Sequence, residues 1–520
     1  MLILKHLARI AYLKIILAIL LIIGFTGCEK RIKKSEITGE KSSSPNIIFI
    51  LADDMGYGDM SAYNPESKIK TLNIDQMADH GVKFTDAHAA AAWCTPSRFG
   101  LLTGRYPMNR SMDWTSGSLI TPDLTTIAGV LKKQGYTTGC IGKWHLGFDN
   151  VDNWKGFDYS KTIKGGPLDK GFNYFFGIHA SLDIPPYFYI YNRHALEAPT
   201  DSTPGHQSDY VTKPKRKINS HVFFGTNSKI NSIQGAMWRP GKIAPHFDFD
   251  KVTPTFTDSA LAFIERESKN DGKPFFLYYA MTGPHTPWVP LKQFQDKSGA
   301  GPYGDFVMEI DYEVGRIIKK LRELNISDNT IIVFASDNGP VWLKRDVERY
   351  HHSSTYIYRG MKSDFWEGGH RVPLIINWPG KIKPDLISDQ LVSYTDMLAT
   401  FADLACARLD SNVIRDSYDL TSLLLKNEVS ARNVMLEQDK TIRKGYWKLI
   451  YGSGMGDLHG NYGDDDYAEF QKIKFELYNL KKDPSETKSL YNNFPKKADS
   501  LKALMKKLEK LEYMGIQNGE

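Results

Sequence analysis

The sequence predicts an α/β protein with a large, mostly parallel sheet flanked by helices, followed by a smaller domain with an antiparallel sheet and a helix. Continuous apolar runs have the pattern of strands buried on both faces of a parallel sheet. They span residues 45–51, 136–141, 275–281, 329–335 and 372–378. Amphipathic helical patterns alternate with these runs, at 258–268 and 306–324. After about residue 400 the character changes, with short candidate strands at 433–436, 446–451 and 475–479 and an amphipathic helix at 496–511.

The chain is longer than one average domain, since it has 520 residues. We therefore predict a large domain over residues 45–400 and a smaller one over residues 401–520. Residues 192–250 lose regular periodicity and are rich in Pro, Lys and Asn, which makes this insertion a candidate substrate loop. Residues 452–466 are rich in Gly and Asp. We predict a loop there rather than a calcium site, because the acidic residues lack a repeating ligand spacing.

The composition is that of a globular protein with a substantial core, since 41% of the residues are hydrophobic and 12% are aromatic. The formal net charge of +6 is modest, and much of it lies in the N-terminal arm and the last helix. A mild positive charge would suit a polyanionic substrate, but it is weak evidence for one. No nucleic-acid partner is predicted.

The N-terminus has the features of an export signal. Basic residues precede an apolar run over residues 15–25, which is too short for a stable membrane span. The run ends in Thr26-Gly27-Cys28, which resembles a bacterial lipobox, although Phe25 replaces the usual Leu. We predict a lipoprotein signal peptide over 1–28, lipidation of Cys28, and a polar tether over 29–44. The protein is then an exported lipoprotein at the periplasmic face or cell surface; the alternative is an ordinary signal peptide with an incidental Cys.

Two of the four cysteines belong to no recognisable motif. Cys140 and Cys406 each lie in an apolar neighbourhood. They are either a disulfide pair formed in an oxidising compartment or two buried thiols. The chain has no Cys-x-x-Cys pattern that would indicate zinc.

The most specific motif begins at Cys94, which opens the sequence Cys-Thr-Pro-Ser-Arg, followed by Leu-Thr-Gly-Arg. Pro96 is tolerated in the first turn of a helix, so Cys94 is expected at a helix N-terminus. Free N–H groups and the helix dipole favour an anion there. Arg98, one turn later, adds a positive fork suited to sulfate or phosphate. An isolated Cys-x-Pro would more simply be a buried structural cysteine.

Oxygen ligands follow two of the predicted strands. Asp53 and Asp54 come directly after the first run, and Asp337 and Asn338 follow the run at 329–335. In open α/β sheets, ligands bind beyond the carboxyl ends of the strands. Carboxylate and amide oxygens suit a hard divalent cation, and Ca²⁺ is preferred here over Mg²⁺.

Lysine and histidine residues follow the other strands. Lys143 and His145 belong to a Gly-Lys-Trp-His motif, and His285 ends a Gly-Pro-His motif. Lys362 precedes the run at 372–378. Four further histidines are held in reserve, because a lone histidine is more often structural: His88, His351, His352 and His370.

Together these motifs resemble the sulfatase family, in matching order over roughly residues 45–400. The resemblance implies an alkaline-phosphatase-like core and a calcium ion. It also implies that a maturase oxidises Cys94 to formylglycine (3-oxoalanine), whose hydrate is the nucleophile. The implied metal ligands are Asp53, Asp54, position 94, Asp337 and Asn338. Arg98 is counted with the catalytic residues.

The resemblance also implies a role for each matching residue and the following course of the reaction. Lys143 and Lys362 resemble the lysines that clamp the sulfate group. One hydroxyl of the hydrate attacks sulfur, aided by Asp337 and the metal, and His285 protonates the leaving alcohol. The second hydroxyl then loses its proton toward His145, which releases free sulfate and restores the aldehyde.

The substrate class is predicted only broadly, as a sulfated polysaccharide or its oligosaccharides. Ulvan, carrageenan and glycosaminoglycans all remain open. Candidate sugar contacts are His179, Ser181, Asp183, Tyr187 and Trp238. Loop packing explains the same residues equally well.

The resemblance predicts a sulfuric ester hydrolase, and two other functions are considered beside it. One is a phosphonate or phosphate ester hydrolase of the same superfamily. The other is a non-catalytic glycan-binding lipoprotein, which the sequence argues against because the nucleophile, metal ligands, lysines and histidines are all present.

Overall fold

The structure is a computed structural model that describes residues 44–108, 110–203, 238–270, 272–438, 440–462 and 466–517. From Pro45 onward these residues belong to one compact unit. The predicted signal peptide, Cys28 and the tether up to residue 43 lie outside the described residues. Within the described part of the chain, no helix has the length and apolar character needed to cross a bilayer.

The secondary structure follows the alternating pattern expected from the sequence. The strands are β1 (Asn46–Asp53), β2 (Val82–Phe84), β3 (Ala87–His88), β4 (Thr137–Lys143), β5 (Tyr174–Ile178), β6 (Ile190–Tyr191), β7 (His194–Ala195), β8 (Asp201–Thr203), β9 (Gly241–Ile243), β10 (Phe275–Pro284), β11 (Thr330–Ser336), β12 (Leu374–Asn377), β13 (Leu386–Ser388), β14 (Val392–Ser393), β15 (Val434–Glu437), β16 (Thr441–Lys444), β17 (Trp447–Tyr451) and β18 (Phe475–Asn479). The α-helices are α1 (Leu72–Asp79), α2 (Cys94–Thr103), α3 (Ile127–Lys133), α4 (Val252–Glu267), α5 (Gly301–Glu323), α6 (Lys344–Tyr350), α7 (Glu367–His370), α8 (Asp396–Leu404), α9 (Thr421–Lys426), α10 (Asp457–Tyr462), α11 (Tyr467–Phe470) and α12 (Pro495–Gln517).

A ten-stranded sheet forms the centre of the molecule, in the order β13-β2-β12-β11-β1-β10-β4-β5-β6-β7. The five central strands β11, β1, β10, β4 and β5 run parallel. Strands β12, β6 and β7 run antiparallel to their neighbours, which makes the sheet mixed. Every residue of β1 is buried, as its continuous apolar run predicts. The predicted mostly parallel sheet is confirmed.

Helices cover both faces of this sheet. Phe275 of β10 packs edge-on against Phe263 of α4, whereas its neighbour Phe276 contacts Phe401 of α8. Consecutive strand residues point to opposite faces, so α4 and α8 lie on opposite sides of the sheet. α5 packs against α4 and β10.

The smaller C-terminal sheet is antiparallel, in the order β15-β16-β17-β18, and α12 packs on β16 and β17. Buried ion pairs join strands of this sheet to neighbouring segments of the chain. Arg443 of β16 pairs with Asp86 at 2.6 Å, and Lys448 of β17 lies 3.0 Å from both Glu367 and Glu486. These five groups are buried, which gives β16 and β17 charged residues at inward positions.

Two local expectations need revision. The described parts of the 192–250 insertion are not wholly irregular, because they contain β7 and the β8–β9 pair; residues 204–237 lie outside the described residues. These strands are two or three residues long and largely exposed, so they carry no apolar alternation. The segment predicted as a loop at 452–466 contains the short helix α10.

The cysteines Cys140 and Cys406 are both free, so the alternative of a disulfide pair is wrong. Cys140 is buried within β4. Cys406 is exposed just after α8, where its φ of 55° ends the helix. The expectation of a buried thiol therefore holds for Cys140 but not for Cys406.

The topology brings the polar strand ends together. Asp53 ends β1, Lys143 ends β4, His285 follows β10, and Asp337 follows β11. Since these four strands are parallel neighbours, their carboxyl ends meet at one edge of the sheet.

Candidate active site

Cys94 is the first residue of α2, as its position before Pro96 predicts. Trp93 caps the helix with an extended backbone, and the whole helix is buried. The Sγ of Cys94 lies 3.2 Å from Nζ of Lys362. Burial raises the pKa of the Cys94 thiol to about 11, although Lys143 and Lys362 act in the opposite direction. An unmodified thiol at this position is therefore neutral at pH 7.

Four buried side chains with oxygen ligands lie near the Cys94 end of α2: Asp53, Asp54, Asp337 and Asn338. The backbone N–H of Asp54 donates to Oδ1 of Asp337 at 3.1 Å, and Nδ2 of Asn338 donates to Oδ1 of Asp54 at 2.6 Å. Ligand atoms of Asp53, Asp54, Cys94 and His285 all lie within 4.8 Å of one another.

This donor set fits a hard divalent cation. The buried Oδ1 of Asn338 has no hydrogen-bond partner, so it is free to face a cation. Carboxylate and amide oxygens converge with it from two strand ends, which is the chemistry that Ca²⁺ prefers.

Three cations balance the three carboxylates of the site. Lys143 lies 2.7 Å from Asp53, Lys362 lies 2.6 Å from Asp54, and Arg98 lies 2.8 Å from Asp337. With Asp53, Asp54 and Asp337 ionised, the six groups sum to zero charge. We call these six side chains the charge cage.

The charge cage shifts the proton affinities of its members. Burial raises the pKa of Asp53, but Lys143, His285 and Arg98 together bring it below the usual value. Burial and the charge of Asp53 raise the pKa of Asp337. Although burial works against it, Asp54 raises the pKa of Lys362 well above its usual value, so this lysine stays charged.

Arg98 is in the site, but the structure gives it a different contact from the one expected. Its Nε donates to Asp337 at 2.9 Å and its Nη1 donates to the carbonyl of Lys143 at 3.0 Å. The side chain is fully buried. Its guanidinium therefore orients a carboxylate and the end of β4, rather than offering an open fork to an anion.

Two histidines face the site, and their ring nitrogens have different partners. His145 is buried with both ring nitrogens unpartnered, and burial followed by Lys143 and Arg98 lowers its pKa well below the usual value. The ring is therefore neutral at pH 7. Nδ1 of His285 lies 2.7 Å from the carbonyl of Thr286, which assigns a proton to Nδ1. Nε2 of His285 then faces Asp54 at 3.6 Å and is free to exchange a proton.

Of the five candidate sugar contacts, Asp183 has its carboxylate beside the imidazole of a catalytic candidate. Its Oδ1 is buried without a hydrogen-bond partner and lies 3.9 Å from Nδ1 of His285. His179 reaches the site through its backbone carbonyl, which accepts from the N–H of His145 at 3.0 Å. Ser181 is buried with an unpartnered hydroxyl.

The other two candidates make packing contacts. The hydroxyl oxygen of Tyr187 lies 2.7 Å from the carbonyl of Arg239 and 3.1 Å from that of Asp183, and its single O–H is directed between them, so it supports the Asp183 turn. Trp238 stacks on Phe249 with ring centroids 4.8 Å apart.

Sequence reasoning missed Trp114. Its ring lies edge-on 4.7 Å from the ring of His145 and 6.0 Å from that of His179, and it is partly exposed. It stands in an irregular polar segment with no motif. The available signal was its position shortly after the Leu-Thr-Gly-Arg sequence that follows Cys94.

Three of the four reserve histidines lie in other networks. Nδ1 of His88 lies 3.0 Å from Nδ1 of His370, and Nε2 of His370 lies 2.9 Å from Glu437, beside the Arg443 and Lys448 pairs. Nε2 of His352 lies 2.9 Å from Asp59. His351 is exposed at the end of α6.

The sequence profile of the family described as Sulfatase matches residues 45–407, which contain the whole of this site. The chain belongs to the sulfatase family. As sulfatases are sulfuric ester hydrolases, the protein is an enzyme of that class.

Sequence relatives extend the family match over nearly the whole chain. An N-acetylgalactosamine-6-O-sulfatase from Bacteroides thetaiotaomicron is 33% identical over 93% of this chain and 96% of its own length. Human steryl-sulfatase is 34% identical over 75% of this chain and 71% of its own. Human arylsulfatase A is 31% identical over 91% and 88%.

Solved structures agree with the fold. One from a study of glycosaminoglycan metabolism by Bacteroides thetaiotaomicron is 33% identical, with a TM-score of 0.75, and covers 90% of this chain and 100% of its own. A sulfatase from Pseudoalteromonas sp. shares the fold at 23% identity, with a TM-score of 0.67 over 94% of this chain and 93% of its own. The expected alkaline-phosphatase-like architecture of the sulfatases is confirmed.

Proposed function

We propose that this sulfatase hydrolyses sulfate esters of a sulfated glycan, with a nucleophile derived from Cys94 and with bound Ca²⁺. One observation carries the proposal above the others. The Cys94 side chain lies at a helix N-terminus, in contact with Lys362 and enclosed by the charge cage. Once a divalent cation is added to this neutral set, such a site would suit an anion whose charge must be neutralised during the reaction.

The neutral thiol of Cys94 is a poor nucleophile at pH 7, which supports the need for its oxidation by a maturase. Formylglycine at position 94 would supply a hydrated aldehyde as the nucleophile toward sulfur, and its second hydroxyl would permit the release of sulfate. The Cys94 sulfur of the structure stands where an oxygen of that hydrate would lie.

The residues that would hold Ca²⁺ are Asp53, Asp54, Asp337, Asn338 and the side chain at position 94. A divalent cation there supplies charge stabilisation to the sulfate oxygens. Arg98 keeps Asp337 in place through two close contacts.

The remaining steps belong to side chains of this chain. Lys143 and Lys362 hold the sulfate group as point charges. Nε2 of His285 gives a proton to the departing alcohol oxygen, because Nδ1 is occupied by the carbonyl of Thr286. The neutral ring of His145 accepts a proton from the side chain at position 94, since both of its nitrogens are free.

The proposal that the substrate is a glycan is supported by two residues beside the site and by the relatives. Trp114 offers a partly exposed ring face and Asp183 an unpartnered carboxylate oxygen. The relative named N-acetylgalactosamine-6-O-sulfatase makes 6-O-sulfated N-acetylgalactosamine the first substrate to test. Ulvan and carrageenan oligosaccharides are the alternatives from algal polymers.

The N-terminal sequence supports an extracytoplasmic role. We propose that the enzyme is exported and held at the membrane by lipidated Cys28, where it meets glycans from outside the cell.

The experiment that tests this function measures sulfate release by ion chromatography from a panel of defined oligosaccharides. The protein is co-expressed with a maturase, and conversion of Cys94 is followed by the mass of its peptide. We expect release from at least one sulfated glycan and a preference of about 10³-fold for aryl sulfate over the matched aryl phosphate. A preference for phosphate supports the phosphohydrolase alternative instead, and glycan binding without release supports the non-catalytic one.

Trp114→Ala is expected to raise KM for the sulfated oligosaccharide about fivefold, because the sugar loses an aromatic face worth roughly 1 kcal/mol. The effect on a small aryl sulfate should be smaller. Initial rates over a range of substrate concentrations give both values. Trp114→Phe, which keeps a ring beside His145, is the matched control; equal losses on both substrates in the alanine variant would contradict a role in sugar binding.

A further inference from the structure

Lys362 is held in a tight turn. The N–H of Asp364 donates to the carbonyl of Met361 at 3.0 Å, so Lys362 and Ser363 are the two central residues. Ser363 has a φ of 77°, which is the value that a type II turn requires at its second central position. Glycine is the usual residue there, because a side chain disfavours this conformation. The turn that aims Lys362 is therefore strained at Ser363.

Neighbouring segments keep the turn in place on its active-site side. The N–H of Lys362 donates to the carbonyl of Pro340 at 2.8 Å. The N–H of Ser363 donates to the carbonyl of Ala92 at 2.9 Å, two residues before Cys94.

The other side of the turn is held by the segment that follows the C-terminal strand β17. This segment, residues 452–459, runs from the end of β17 into α10 and lies directly against residues 363–366. Oδ1 of Asp364 accepts from the N–H of Gly456 at 2.7 Å, and Oδ2 pairs with Nε2 of His459 at 2.9 Å. The N–H of Phe365 donates to the carbonyl of Gly454 at 2.8 Å.

Asp364 links the segment 452–459 to the turn, because its carboxylate bonds to both. The carboxylate is fully buried, and its Oδ2 also accepts from the N–H of Met361 at 2.8 Å, which closes the turn from within. The approach of the segment is so close that a Cβ at Gly456 would lie 2.1 Å from the carbonyl oxygen of Ser363. Position 456 therefore has no room for a side chain.

We infer that His459 is a positioning residue for Lys362. It holds Asp364, and Asp364 holds the strained Met361–Asp364 turn in the geometry that places the lysine beside position 94. This inference rests on the proposed function, in which Lys362 holds the sulfate group. A residue of the C-terminal part thereby serves the reaction without contacting substrate.

The test compares two substitutions at position 459 in the maturase-converted enzyme. His459→Ala is expected to lower kcat/KM about tenfold and to weaken binding of inorganic sulfate, measured by calorimetry, by a similar factor. His459→Gln is expected to stay within about threefold of the wild type, because its Nε2 can donate to Asp364 from nearly the same place. Tyr467→Phe removes a hydrogen bond to Asp457, which belongs to the same segment but does not contact Asp364 through this bond, and it should have no effect.

Two double variants separate positioning from a general structural role. In a Lys362→Ala background, His459→Ala should cause no further loss, because the lysine through which it acts is gone. Ser363→Gly should restore most of the activity of His459→Ala, since glycine adopts the turn without strain. The inference would be overturned if the losses caused by Lys362→Ala and His459→Ala multiplied in the double variant. It would also be overturned if neither His459→Gln nor Ser363→Gly preserved or restored activity.

The experiments distinguish an error in the proposed function from an error in this inference. Absence of sulfate release by the wild type contradicts the function, whereas the inference depends on ratios between variants of an active enzyme. If His459→Ala does not fold, His459→Asn takes its place with the same expectations, because its shorter amide does not reach Asp364.

Discussion

Cys94→Ala is expected to abolish sulfate release, with a loss of at least about 10⁴-fold in kcat. The substitution removes the atom that becomes the nucleophile, while α2 keeps its buried packing and its cap at Trp93. Sulfate release under saturating substrate measures the loss, and circular dichroism with thermal unfolding reports whether the fold is kept. Affinity for the glycan, measured by calorimetry, should change little.

The matched control for this variant is Cys406→Ala, which removes a free and exposed cysteine outside the site. It should retain full activity. Turnover by Cys94→Ala above one part in a thousand of the wild type would show that another group attacks sulfur.

Asp53→Ala is expected to lower activity by at least about 10³-fold and to remove the bound metal. The carboxylate is a ligand in the proposed calcium site, and it also pairs with the fully buried Lys143 at 2.7 Å. Removing one partner of a buried pair leaves an uncompensated charge, which costs about 3–5 kcal/mol of folding free energy. Elemental analysis of dialysed protein gives the metal content, and urea unfolding gives the change in stability.

Asp311→Asn provides the comparison, because Asp311 is also a buried carboxylate, accepting from the N–H groups of Asn73 and Ile74. This variant should lose stability and keep its metal. An Asp53→Ala protein that still binds one equivalent of Ca²⁺ would contradict the ligand assignment.

Five strands of the central sheet, β1, β4, β10, β11 and β12, were predictable for a physical reason. Strands buried on both faces must be apolar at every position, and β1, β10 and β11 are long enough for this to stand out. Strands β2 and β13 have three residues each, which is too short for a pattern to be distinguished from its surroundings.

Strand β16 was not predicted because its inward positions include a charge. Arg443 is buried, and its guanidinium makes two contacts with Asp86, 357 residues earlier in the chain. A strand that buries an arginine looks like a polar loop in the sequence. Its burial depends on a partner that only the folded structure brings near.

Much the same limit applies to the site. Asp53, Asp54, Asp337 and Asn338 could be grouped in advance, because parallel strands place their carboxyl ends together. Nothing in the sequence connects Trp114 to His145, or His459 to Asp364. Those contacts join irregular segments, and irregular segments have no periodicity from which a position can be inferred.

The neutrality of the charge cage has a thermodynamic consequence. A dication bound alone would leave an excess of two positive charges, and a sulfate dianion bound alone would leave two negative charges. Bound together they restore neutrality, so each should increase the affinity for the other by the same factor. Cation and product are thus reciprocal effectors at one site, and free sulfate in the surroundings would retain the metal in the enzyme.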